Sequence, residues 1–330
     1  MRKGLVSVVL AGLAACTPCD YQKLSKLPLA SSVPEEYQDD VTFVKEVRKF
    51  GIEQLGLNQC TQHYTTFSRT DQEAKTLYRL FVTKPTELPT DREENFRHYF
   101  EHLTAFREEI EAGYFWSYED TLEDESAYYK KQGYDVYSRN VQDFNEVGSD
   151  QGSSLTPSFF NVSPERQANI MLHEICHDTL EEWIGKFPSD LNEPFCVLVE
   201  YAGTAEYYRL KKGVSSPEYK KARESFAAYG ENAEKINLVY RRLQELYKSD
   251  KSLAEKERER QALFAVAKET VGVDVNNASL WDRYPYVKYY QLMLKMYNAQ
   301  DKDIYKVLQK MRNCPKDEEN ALKYIQGLLR

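Results

Sequence analysis

The sequence predicts a mostly α-helical protein with a small β component, an α+β fold. Apolar residues recur at helical spacing along most of the chain, β-rich segments are few and short, and no internal repeat or low-complexity tract interrupts them. The 330 residues are 42% hydrophobic and 29% charged, enough apolar material for a large core. Aromatics reach 13%, with 25 Tyr and 15 Phe against only 14 Gly and 12 Pro, which excludes a disordered chain. The net charge of −8 argues against a nucleic-acid partner, which needs a basic face for phosphates. No run of eighteen apolar residues occurs, so no transmembrane helix is expected.

The first element read from the N-terminus is an export signal. Arg2 and Lys3 precede an apolar run from Leu5 to Ala15, too short to span a bilayer and of the length of a signal-peptide core. It ends in Leu13-Ala14-Ala15-Cys16, which resembles the bacterial lipobox, in which cleavage before the cysteine leaves it to carry lipid. Residues 1–15 are therefore expected to be a lipoprotein signal peptide, Cys16 the lipidation site, and 16–40 a Pro- and Ser-containing tether. Residues 41–330 are expected to form the folded domain, with 41–160 as its α+β part and 161–330 as its helical part. The expected location is the cell envelope, on the outer-membrane or periplasmic side in a Gram-negative cell, since Thr17 is not the Asp of inner-membrane retention. Export opens Cys19, Cys60, Cys176, Cys196 and Cys314 to disulfide formation.

Within the domain, Val41, Val44, Val47, Phe50 and Leu55 predict a helix over 41–57, and Leu77 to Thr83 a strand stopped by Pro85. A second amphipathic helix is expected over 91–112, a short strand over 134–137, and an exposed loop over 145–157. Ser163-Pro164 reads as N-cap and first helical position of a helix reaching about Trp183. Further helices are expected from Asp190 to about Lys212, over 217–269, and from about Leu280 to Met311 through Pro285. The acidic run Glu119 to Glu125 and the Lys/Glu-rich 248–261 read as exposed surface, the latter as an ion-paired helix.

The chemistry is concentrated in His173-Glu174-Ile175-Cys176-His177. Residues four apart lie one above the other on a helix, so His173 and His177 can aim two imidazoles at one metal ion. Glu174 lies about 100° round the helix, where a base for a metal-activated water belongs. A catalytic zinc takes three protein ligands and one open position. No His follows His177, so the third ligand is expected to be acidic. In Leu191-Asn192-Glu193-Pro194-Phe195-Cys196 and beyond, Glu193 and Glu200 are seven residues apart, about 20° short of two full turns. One can serve as ligand and the other as hydrogen-bond partner of a ligating His. A second H-x-x-x-H, His98 to His102, and the isolated His63 read as solvated surface.

His173-Glu174-Ile175-Cys176-His177 followed by Asn192-Glu193-Pro194-Phe195-Cys196 and Val199-Glu200 resembles the gluzincin metallopeptidases, and more closely the bacterial putative aminopeptidase family, whose members are often lipoproteins. Gly113-Tyr114-Phe115, Gly133-Tyr134-Asp135-Val136-Tyr137 and Asn276-Asn277-Ala278 add to the resemblance, which spans roughly 41–290. It implies a zincin-like fold with an H-E-x-x-H helix and a following glutamate helix. By position it makes His173, His177 and Glu193 the ligands of one Zn²⁺ per chain, Glu174 the catalytic base, and Glu200 and Asn192 the supports behind the ligands. It makes Tyr286 the candidate oxyanion stabiliser, with Tyr284 behind it. Cys176 and Cys196 stand where the family usually has Ala, as small packing positions or a disulfide, and the G-x-M-E-N segment of larger aminopeptidases is absent. The function implied is a zinc-dependent peptidase, in the first place an aminopeptidase, acting on peptide or protein substrates from a lipid anchor on the membrane. The alternatives are a zinc endopeptidase and a non-catalytic metal-binding or scaffold envelope lipoprotein.

Overall fold

Ser163, Ser216, Ser252 and Asn276 each precede a helix, and each side chain accepts a hydrogen bond from the amide three residues on. This satisfies one of the free N–H groups of each first turn. The computed structural model describes residues 33–67, 77–89, 112–140, 154–272 and 274–329. Its helices are α1 (Gln38–Glu53), α2 (Glu119–Lys131), the single turn α3 (Pro157–Phe160), α4 (Pro164–Ile184), α5 (Ser189–Lys212), α6 (Pro217–Lys248), α7 (Leu253–Val271), α8 (Asn277–Val287), α9 (Tyr290–Ala299), α10 (Ile304–Met311) and α11 (Glu318–Gly327). The strands are β1 (Leu77–Thr83), β2 (Ala112–Tyr118) and β3 (Asp135–Asn140). The fold is thus mostly helical with a small antiparallel sheet of order β2-β1-β3. No described helix is long and apolar enough to cross a membrane.

The core lies around α5. This helix packs on α4, α6, α8 and α9, while α1 packs on α4 and touches α5. Leu172, Ile175, Cys176 and Leu180 of α4 and Phe195, Cys196, Leu198 and Val199 of α5 are fully buried. Burial of such side chains stabilises the pair by about 1.5–3 kcal/mol each. Close approach depends on Gly203: a Cβ there would meet Leu172 Cδ1 at 3.0 Å and Leu55 Cδ1 at 3.1 Å. Gly185, at φ 81°, ends α4 and turns the chain toward α5.

The sheet divides its side chains by the two-residue alternation of a strand. Leu80, Val82 and Val136 face Tyr129 of α2. Phe81 and Tyr137 face Ala278 and Trp281 of α8, with the Phe81 and Trp281 rings edge to face at 5.8 Å. The Asn276-Asn277-Ala278 segment explains how α8 is fixed to the sheet. Asn276 caps the helix and donates to the Val136 carbonyl, while the Asn277 amide donates to Asp135 and its side chain to the carbonyls of Lys84, Pro85 and Glu87. Arg260 of α7 closes this network with a 2.9 Å ion pair to Asp135.

Several expectations need adjustment. The tether boundary at residue 40 falls inside α1, and Val33 is already buried and Tyr37 already stacked on Phe160. The long helix expected over 217–269 is broken at 249–252, where Ser252 starts a new cap. The stretch up to Met311 is three helices, and α2 and α11 were not foreseen. Within 248–261, Arg260 is buried rather than exposed because it serves Asp135. Pro194 sits inside α5. The helix expected over 91–112 lies outside the described residues except for Ala112, which opens β2; His98 and His102 lie outside them entirely. So do Cys16 and the expected loop up to residue 153.

Candidate metal centre

The metal motif lies on the inner half of α4, and α5 returns antiparallel beside it after a short turn through Pro188. Three side chains meet where the helices touch. His173 Nε2 and His177 Nε2 are 3.0 Å apart, and Glu193 Oε2 lies 3.4 Å from the first and 3.5 Å from the second. A tetrahedral ion with N and O ligands at about 2.0–2.1 Å needs donors roughly 3.3 Å apart, so this tripod has the size to hold a divalent metal. Among the described residues it is the group of His, Cys, Asp and Glu side chains that meets this requirement.

Each ring is oriented from behind. Glu200 Oε2 lies 3.1 Å from His173 Nδ1, and its other oxygen accepts from Arg166 at 2.9 Å. Asn192 Oδ1 lies 2.9 Å from His177 Nδ1. Both contacts direct the Nε2 atoms toward the shared point, as outer partners of ligating imidazoles do. Glu193 and Glu200 therefore divide the two roles open in the sequence, with Glu193 in the tripod and Glu200 behind it. Cys176 and Cys196 carry free, buried thiols at the helix contact, and Cys196 Sγ lies 3.4 Å from His177 Nδ1. Burial pushes the Cys196 thiol well above its ordinary range, so it is kept neutral.

The tripod opens into a cleft of about 1260 Å³. Glu174 and Tyr286 both line it, and the Tyr286 ring centre is 6.4 Å from that of His173. Tyr284 instead stacks on Tyr240 at 3.6 Å, which leaves Tyr286 as the tyrosine of that pair beside the metal motif. His63, expected on a solvated surface, is buried and lines the cleft. Its Nε2 is 3.1 Å from Asp178 Oδ1, whose other oxygen accepts from Thr61 at 2.5 Å. No local signal joined His63 to Asp178, since 115 residues separate them.

In the metal-free protein the tripod is an ion-paired cluster. Burial alone would depress both imidazoles, but the Glu193 and Glu200 carboxylates outweigh it at His173 and hold that ring well above its usual value. Glu193 does the same for His177, which is raised from 6.5 to about 9. The two rings in turn outweigh burial at Glu193 and hold it well below the usual carboxylate range. The sign of the consequence follows from linkage. A raised His contributes stability that is complete below pH 6.5 and is lost as pH rises through about 9. Metal binding has the opposite sign, because it requires unprotonated rings and releases their protons. Chelated protein should therefore lose melting temperature between pH 6.5 and 9, while the stabilisation added by a divalent metal grows over the same window. A chelated melting temperature that rises across this window would contradict the pairing.

A helix pair carrying a His-His-Glu tripod able to hold a metal, at the floor of an open cleft, defines a candidate metal-dependent enzyme site. Residues 21–272 match the model of the family described as Putative aminopeptidase, and the chain belongs to that family. The match covers the tripod, Glu174, Asn192 and Glu200, and ends before Tyr286. No curated protein and no solved structure matches the chain.

Proposed function

We propose that the protein is a zinc-dependent peptidase of the gluzincin type with a zincin-like fold, in the first place an aminopeptidase. The observation that carries this is the convergence of His173, His177 and Glu193 within 3.5 Å of one another, with Glu174 lining the same cleft. His173, His177 and Glu193 would hold one Zn²⁺. When bound, zinc supplies Lewis-acid chemistry, polarising a carbonyl and lowering the pKa of water. Glu174 takes the proton of the attacking water and carries it to the leaving amine. The Tyr286 hydroxyl donates to the carbonyl oxygen as negative charge builds there. Glu200 and Asn192 keep the imidazoles turned toward the tripod.

The same reading places residues 1–15 as signal peptide and Cys16 as the lipidated residue, with a tether leading to the folded domain in the cell envelope. The test is a defined peptide library incubated with purified protein. Hydrolysis should stop on chelation and return with zinc, and cuts should fall after the first residue. Internal cuts would make it an endopeptidase. Absence of any cleavage by fully zinc-loaded protein would leave a non-catalytic metal-binding lipoprotein instead.

A further inference from the structure

The cleft has an apolar recess beside the tripod, placed there by the register of α5 on α6. Residues 213–216 join the two helices in a short turn, so they run antiparallel. Tyr201 and Tyr229 stack across their contact with ring centres 4.7 Å apart. One turn back along α5 is Val197 and one turn forward along α6 is Ala233, so these two lie level with each other. A further turn along each brings Glu193 of the tripod level with Ile236. The end of α8 closes the recess. Tyr229 Oη donates to the Tyr286 carbonyl at 3.5 Å, and Asn237 donates to the carbonyls of Val287 and Lys288 at 3.4 and 2.9 Å. Lys288 is in turn paired with Asp190, about one turn before Glu193. Val197, Ala233, Ile236 and Val287 are buried and line the cleft, as the floor of a recess does. Glu231, Glu234 and Lys235, the charged side chains of the same stretch of α6, are exposed and do not line it.

We propose that Val197, Ala233, Ile236 and Val287 form a pocket for an apolar side chain, so that the protein selects an apolar residue next to the bond it cuts, a proposal that rests on the peptidase reading. Sites for small groups are lined mainly by apolar side chains with a few polar ones. An apolar side chain gains by leaving water here, and a charged one would lose its hydration. The nearest carboxylates on α5 are already engaged, Glu193 with the two imidazoles and Glu200 with His173 and Arg166. Position names the occupant. Val197 follows Glu193 by four residues on the same helix face, about 6 Å along the axis, so the side chain that fills the recess belongs to a residue flanking the reacting bond. Ala233 sets the depth: its methyl group is the smallest of the four side chains, and any larger residue there takes space from the substrate.

The experiment uses full-chain, zinc-loaded protein and two peptide series, X-Ala-Ala-Ala and Ala-X-Ala-Ala, with Gly, Ala, Leu, Phe, Asp or Lys as X. The readouts are kcat/KM for the native sequence and binding by calorimetry in the Glu174→Gln background. In one series Leu should exceed Gly, Asp and Lys by at least about tenfold, the scale of a methylene group or more in an apolar pocket. The series that shows the preference identifies the residue the pocket holds. Ala233→Val should narrow the pocket and lower the Leu-to-Ala ratio by about tenfold. Ile236→Ala should widen it and move the optimum toward Phe. Each ratio compares peptides on one sample, so a partial loss of fold cancels from it. Equal values for every X in both series, a preference for Asp or Lys, or an apolar preference moved by neither substitution overturns the proposal. Failure to cleave any peptide sinks the peptidase reading alone, because calorimetry still judges the pocket.

Discussion

Glu174→Gln should retain the metal at native stoichiometry and lose turnover by about 10²–10⁴. The substitution keeps the size of a side chain that lines the cleft next to His173, and it removes only the capacity to accept a proton. The tripod atoms of His173, His177 and Glu193 are elsewhere on the two helices, so their spacing should not change. The paired measurement, metal content and kcat on the same sample, separates a lost base from a lost site. Full activity in a metal-replete Glu174→Gln protein would remove Glu174 from the mechanism.

Glu193→Ala should do the reverse, taking metal occupancy from one ion per chain toward zero, and activity with it. Glu193 supplies the third donor of the tripod and the carboxylate that keeps both imidazoles in place, at 3.4 and 3.5 Å. With it gone, buried His173 and half-buried His177 remain, and two ligands do not make a tight zinc site. Glu200 cannot take its place, since one oxygen contacts His173 Nδ1 and the other Arg166. Because alanine also leaves a gap between α4 and α5, Glu193→Gln serves as the companion variant. It preserves volume, loses the charge, and should still bind metal much more weakly. Retention of one tightly bound ion by both variants would exclude Glu193 as a ligand.

The helix pair was legible in the sequence because its signals are local. Ser163-Pro164 marks the start of α4, His173 and His177 share a face by spacing, and Glu193 and Glu200 share the next helix. What the sequence did not reveal was the partners set by tertiary contact. His63 reaches Asp178 across 115 residues, and Arg139 meets Asp282 through the packing of the sheet on α8. Periodicity reports which face is apolar, and not which distant element covers it. For the same reason Arg260 read as solvated: its own helix is charged, and Asp135, its partner, lies on a strand 125 residues away. The break at 249–252 was hidden because charged, helix-favouring residues continue on both sides of the Ser252 cap.

X-ray absorption on the purified, metal-loaded protein identifies the atoms that hold the ion. The spectrum should show one zinc per chain with two imidazole nitrogens and carboxylate oxygen at about 2.0–2.2 Å, and no sulfur. A scatterer at about 2.3 Å, the distance of a thiolate, would place Cys196 rather than Glu193 on the metal and contradict the tripod.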